Sequence, residues 1–104
     1  MPELGQIADK VRSKNAGPFW LTIDIFCGSS ARFDHIAQHL NDVEIARKLA
    51  TPVAQLKRFD IADLDVVKIS VPRPTIQGTR DDRDMHGAQW ANILAEMDVP
   101  DLQE

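Results

Sequence analysis

The stretch FWLTIDIF, residues 19–26, constrains the fold of this chain more than any other. Side chains along a β-strand point alternately to its two faces. Phe19, Leu21, Ile23 and Ile25 therefore share one face, and Trp20, Thr22, Asp24 and Phe26 the other. Both faces are partly apolar, which predicts a strand inside a sheet rather than at its rim. Asp24 then needs a partner, because a buried carboxylate is costly without one. A second alternating run over residues 65–71 sets Val67, Ile69 and Val71 against Val66, Lys68 and Ser70. It predicts another strand, stopped by Pro72 and Pro74.

Helical signals lie between the two strands. Gly28, Ser29 and Ser30 suit a helix start, since a serine oxygen accepts an otherwise orphan backbone N–H. Phe33, Ile36, Ala37 and Leu40 follow at helical spacing. Asn41 and Glu44 form a capping-box pattern that opens a second helix through Val43, Ala46 and Leu49. Thr51 and Pro52 read as an N-cap with proline in the first turn, predicting a third short helix over 53–57. Residues 4–13, with Ile7 and Val11 four apart, fit a short helix or a first strand, and strand is the preferred assignment. At the other end the pattern supports a helical turn over 88–92 followed by a strand to Val99. Residues 75–87 are polar and turn-rich, a long loop for so small a domain. The expected architecture is α+β, a two-layer sandwich of a mainly antiparallel sheet with helices on one face. It forms one domain over 1–100, with a short tail over 101–104.

A chain of 104 residues folds as one domain but has little room for a deep pocket of its own. The net charge of −4 argues against nucleic acid or an anionic membrane as partner, either of which calls for a basic footprint. Cys27 is the only cysteine, so no internal disulfide forms. The N-terminal residues lack the apolar core of a secretory signal, and no apolar run approaches the roughly 20 residues of a membrane span. A cytoplasmic location is expected.

Arg12, Lys14, Arg73, Arg80 and Arg83 place five of the twelve cations in two strand-flanking segments of an acidic chain. Arginine's planar fork suits carboxylate or phosphate, so these segments are a candidate anion site. Asn15, Gln77 and Gln89 add neutral donors. The plainer alternative is that Arg80 and Arg83 neutralise Asp81, Asp82 and Asp84 on a solvated loop. Asp84 and His86 are candidate acid/base residues, because a carboxylate beside an imidazole tunes it for proton transfer. Equally, Asp84 suits a helix cap and His86 the surface. His35 and His39, four apart, have metal-ligand spacing, yet H-E-x-x-H is absent, no third ligand is evident, and the pair faces away from the Phe33, Ile36 and Leu40 stripe as solvated histidines do. No metal or cofactor is expected. Cys27 precedes a helix start, which favours a thiolate, but it has no evident base and fits a small buried hydrophobe better. Neither G-x-S-x-G nor G-x-x-x-x-G-K occurs.

The segments RSKNAGPFWLTIDI and ISVPRPTIQGTRDDRDMHGAQ resemble a small uncharacterised family, a domain of unknown function. In that family R-S-K-N-A-G-P, T-x-D-I, P-R-P and G-x-x-x-D-R-D-x-x-G-A-Q recur in this order. The resemblance spans nearly the whole chain. It places family motif residues at Arg12, Ser13, Lys14, Asn15, Gly17 and Pro18, at Thr22 and Asp24, and at Arg73, Gly78, Asp82, Arg83, Asp84, Gly87 and Gln89. Cys27, His35 and His39 fall outside the pattern. Residues 90–93 depart from it, since relatives often carry a proline-containing stretch there. The resemblance implies a companion of larger proteins of the acyclic terpene utilisation (AtuA-like) type, similar to the ferredoxin-like domain that ends them. It also implies a setting among catabolic enzymes for carboxylic acids and acyl compounds.

The leading expectation is therefore an accessory subunit that docks on a larger AtuA-like protein or on copies of itself. It would lend Arg12, Ser13, Lys14, Asn15, Arg73, Arg83 and Gln89 to a site for a small carboxylate or acyl ligand. Trp20 and Trp90 are natural interface anchors. The alternatives are a freestanding, cofactor-independent hydro-lyase or isomerase using Asp84 and His86, and a non-catalytic anion-binding regulatory module.

Overall fold

Strand β2 (Trp20–Phe26) lies inside a four-stranded sheet, where its two partly apolar faces predicted it. The computed structural model describes residues 3–17, 19–72 and 89–100. On one side β2 pairs with β1 (Lys10–Asn15), and on the other with β4 (Val66–Pro72). An edge strand, β3 (Lys57–Ile61), completes the sheet in the order β1-β2-β4-β3, with every pairing antiparallel. The fold is α+β, and the helices pack on one face of the sheet. With ferredoxin-like domains it shares these layers. Its described elements run as two hairpins around a helix pair, a different order from β-α-β-β-α-β.

Alternation decides which residues meet the helices. Leu21, Ile23 and Ile25 of β2 and Val67, Ile69 and Val71 of β4 are buried on one face. They join Leu4, Phe33, Ile36, Ile45, Leu49, Leu94 and Val99 in a single core cluster. Burying each such side chain stabilises the fold by roughly 1.5–3 kcal/mol. The helices are α1 (Leu4–Ile7), α2 (Ser30–His39), α3 (Asp42–Lys48) and α4 (Gln89–Ala95). Among the described residues no helix is long and apolar enough to cross a membrane.

The caps fall where the polar residues predicted them. Ser29 Oγ accepts the Arg32 N–H at 3.2 Å and opens α2. Asn41 Oδ1 accepts the Val43 and Glu44 N–H groups at 2.8 and 3.3 Å and opens α3. Glu44 does not reach back to complete the box but pairs with Arg47 at 2.6 Å. Between β2 and α2, Gly28 adopts φ +93°, where a Cβ would lie 3.1 Å from Asp9 Cβ. A side chain there meets both backbone strain and a close contact.

Four expectations need correction. Residues 4–13 are not one strand: α1 occupies 4–7, ends where Ala8 turns extended, and β1 follows. The third helix over 53–57 is a single 3-10 turn, Val53–Gln55, without a side-chain cap. The chain then enters β3, whose apolar residues Phe59 and Ile61 share one face while Arg58 and Asp60 pair on the other. The expected final strand to Val99 is one bridge, Asp98 to Glu3, because α4 runs on to Ala95. Finally, His35 is not a solvated residue: its Nε2–H donates to the Pro100 carbonyl at 2.6 Å. The expected loop over 75–87 and tail over 101–104 lie outside the described residues.

Candidate functional site

The face of the sheet turned away from the helices carries the cations. Register sets out its rows directly, because opposite residues in antiparallel strands share a face. Lys10 lies opposite Phe26, which lies opposite Val66 and then Ile61. The middle row runs Arg12, Asp24, Lys68, Phe59, and the next Lys14, Thr22, Ser70, Lys57. Lys57 Nζ sits 5.0 Å from the centroid of the Trp20 ring, a cation–π contact. Among the described strand residues, five cations and one carboxylate give this face +4, against a net charge of −4 for the whole chain. Such separation makes the face an attractor for anions and acidic surfaces.

Near the β1 edge the face holds a cavity of about 210 Å³ lined by Arg12, Ser13, Lys14, Asp24 and Phe26. Asp24 Oδ1 is buried and accepts no hydrogen bond. Arg12 and Lys68 flank this carboxylate in register, yet among the described residues neither forms an ion pair with it. The partner that Asp24 was expected to need is thus not supplied by its cross-strand neighbours.

Of the residues assigned to the anion site, Arg12 and Lys14 lie together on the cationic face. Ser13 and Asn15 point to the helix side by alternation. Ser13 Oγ accepts the Ala91 N–H at 2.9 Å and so ties β1 to the first turn of α4. Gln89 begins α4. Arg73, Arg83, Asp84 and His86 lie outside the described residues. Lys10, Lys57 and Lys68 were missed, since only strand register reveals that they share a face with Arg12 and Lys14.

The other candidates have structural explanations. Cys27 is fully buried, and its thiol donates weakly to the Ile25 carbonyl, with Sγ 3.7 Å from the oxygen. Burial, then the negative charge of Asp65, pushes its pKa up from 9.0 to about 11. Cys27 is thus the small buried hydrophobe that its sequence context favoured, and not a thiolate activated by the helix start. Thiol reagents at neutral pH should modify native protein at least tenfold more slowly than urea-unfolded protein. Equal rates in a disulfide-exchange assay would refute the burial. The sign of the pH dependence also follows. The folded state keeps a proton that the unfolded chain loses, so stability falls as pH rises from about 9.0 towards 11. His39 Nδ1–H donates to the His35 carbonyl at 2.8 Å, and the two rings lie 4.4 Å apart between centroids, tilted by 42°. Among the described residues no group of three or more His, Cys, Asp or Glu side chains is arranged to hold a metal ion.

A family model matches residues 4–98, and its description assigns no activity, a domain of unknown function. No curated protein and no solved structure matches the chain.

Proposed function

The chain belongs to the family described as Domain of unknown function (DUF4387), and from that premise we propose that it is an accessory subunit. It docks on a larger catabolic protein of the AtuA-like type and lends it a cationic site for a carboxylated or acyl substrate. The observation that carries this reading is the sheet face of +4 in a chain of net −4. Electrostatic complementarity steers association and fixes the partner more than it adds raw affinity. An identical face meets repulsion, so an acidic surface on a different polypeptide is the better match than face-to-face pairing of two copies. Trp20, held by Lys57, and exposed Phe59 supply apolar anchors amid the charges.

Gentle purification of the protein from its native extract tests this reading. It should bring down a larger polypeptide at fixed stoichiometry, and 0.5 M salt should release it. The double charge reversal Arg12→Glu with Lys68→Glu should abolish co-purification. Arg47→Glu, on exposed α3, should leave it intact. A lone monomer that turns over hydroxy or unsaturated acids by itself would instead favour the freestanding enzyme.

A further inference from the structure

Strand β3 is an edge: among the described residues no strand lies beyond it. An edge offers unpaired backbone N–H and C=O groups to any chain that can lie along it. Charges on such a strand ordinarily discourage pairing, and β3 reads Lys57, Arg58, Phe59, Asp60, Ile61. Their order defeats that protection in one register. Laid antiparallel against a second copy with Phe59 on the two-fold axis, Arg58 falls opposite Asp60, Asp60 opposite Arg58, and Lys57 opposite Ile61. No like charges meet. Any other register must shift by two residues to keep the faces matched. One such shift sets Arg58 opposite Arg58, and the other sets Asp60 opposite Asp60. The opposite edge, β1, has no permissive register. Lys10, Arg12 and Lys14 share a face, so each face-matched pairing of β1 with itself sets cation against cation.

We propose that the chain associates through β3 into a closed two-fold dimer, joining two four-stranded sheets edge to edge. Phe59 meets Phe59 of the second copy as a cross-strand aromatic pair. Exposure fits this arrangement. Phe59 is 52% exposed, and Val53 and Leu64, in the turns that flank β3, are 49% and 68% exposed. Antiparallel pairing brings the Val53–Gln55 turn of one copy beside the Ala62–Leu64 turn of the other. The cationic faces then lie side by side without close repulsion. Lys68 stands opposite Phe59, so the two copies of Lys68 are three strand spacings apart. That is roughly 14 Å, against a screening length of about 8 Å. The cationic face stays free for a different polypeptide, and the dimer presents it twice. A five-residue strand makes a small interface, which puts the association at the weak end of specific contacts.

Sedimentation equilibrium of the isolated full chain over roughly 5–500 µM tests this. The mass should rise from 11.7 kDa to a plateau at twice that value. Phe59→Glu and Phe59→Lys each set a charge opposite its own copy, at a position half-exposed in the monomer. Each should weaken association at least tenfold. An equimolar mixture of the two variants should restore the dimer, because glutamate then faces lysine. In the unaltered chain, amide exchange along β3 should slow as concentration rises, while exchange along β1 should not. A chain still monomeric at the highest concentration overturns the proposal, and so does growth beyond the dimer, which a closed two-fold forbids. A dimer indifferent to both charges, or slowed exchange at β1 in place of β3, puts the interface elsewhere and overturns it too. Loss of the dimer in both variants without recovery on mixing removes the axis from Phe59, and with it the proposal. No other polypeptide enters the measurement, so its result is separate from that of the co-purification.

Discussion

Replacing Ile23 with alanine is expected to lower the unfolding free energy by about 3–4 kcal/mol, the largest effect of any single truncation in the sheet. Ile23 is fully buried at the midpoint of β2 and lies opposite Ile69 of β4, itself fully buried. Its face turns towards the helix layer, so the lost side chain leaves a hole bounded by both layers. Strands β1 and β4 pin β2 from both sides, and a backbone so held collapses little into the space. Close-packed interiors retain most of such a cavity, and the penalty grows with the volume retained. Urea titration should show a lower midpoint with an unchanged slope. A domain this size should also melt roughly 15 °C lower. Because Ile23 and Ile69 share a cavity, the double alanine variant should lose less than the sum of the two single variants. A loss below about 1 kcal/mol for Ile23→Ala would mean that the two layers do not meet tightly there.

Arg58→Ala should cost about 3 kcal/mol, although an arginine on an edge strand looks dispensable in the sequence. The side chain is 13% exposed and bridges elements far apart in the chain. Its guanidinium donates to the Ala37 carbonyl at 2.6 Å and the Leu40 carbonyl at 2.8 Å, at the end of α2. It also donates to Asp42 and Asp60, each at 2.9 Å. Burial works against the charge, yet hydrogen bonds to Asp42 and Asp60 outweigh it and hold the pKa above the ordinary arginine value. The two carboxylates are 48% and 42% exposed, so water replaces much of what they lose on truncation. The two part-buried carbonyls have less recourse, and most of the expected loss lies with them. Arg58→Lys should recover less than half of it, because a single ammonium cannot serve four acceptors spread around a planar fork. Full recovery by lysine, measured by denaturant titration, would show that charge rather than geometry matters.

How much of this was legible beforehand depended on whether a residue's signal was local. The alternation of 19–26 and 65–71 revealed two of the strands, and the partly apolar faces of 19–26 placed that strand inside the sheet. Ser29 and Asn41 revealed their helix starts through local chemistry that needs nothing from the rest of the chain. Edge strand β3 escaped notice because its apolar residues, Phe59 and Ile61, lie on the face turned away from the helices and its inner residues are an ion pair. Thr51-Pro52 drew attention to a helix that proved to be one 3-10 turn. Of the site, Arg12 and Lys14 stood out as cations beside a turn. That Ser13 serves the opposite layer follows from alternation alone, once β1 is known to be a strand. Lys68 and Lys57 lie more than 40 residues from Arg12 in the chain, and only pairing through β2 and β4 sets them beside it.

The Leu4 N–H donates to the Met97 carbonyl at 2.7 Å, and buried Leu4 packs in the core with Met97 and Val99. A nascent polypeptide emerging from the ribosome therefore holds its first helical turn idle until residue 97 has been polymerised. At about 5–20 residues per second that delay is roughly 5–20 s. Throughout it Leu4 remains wet, and a chaperone with affinity for short apolar segments has that long to engage it.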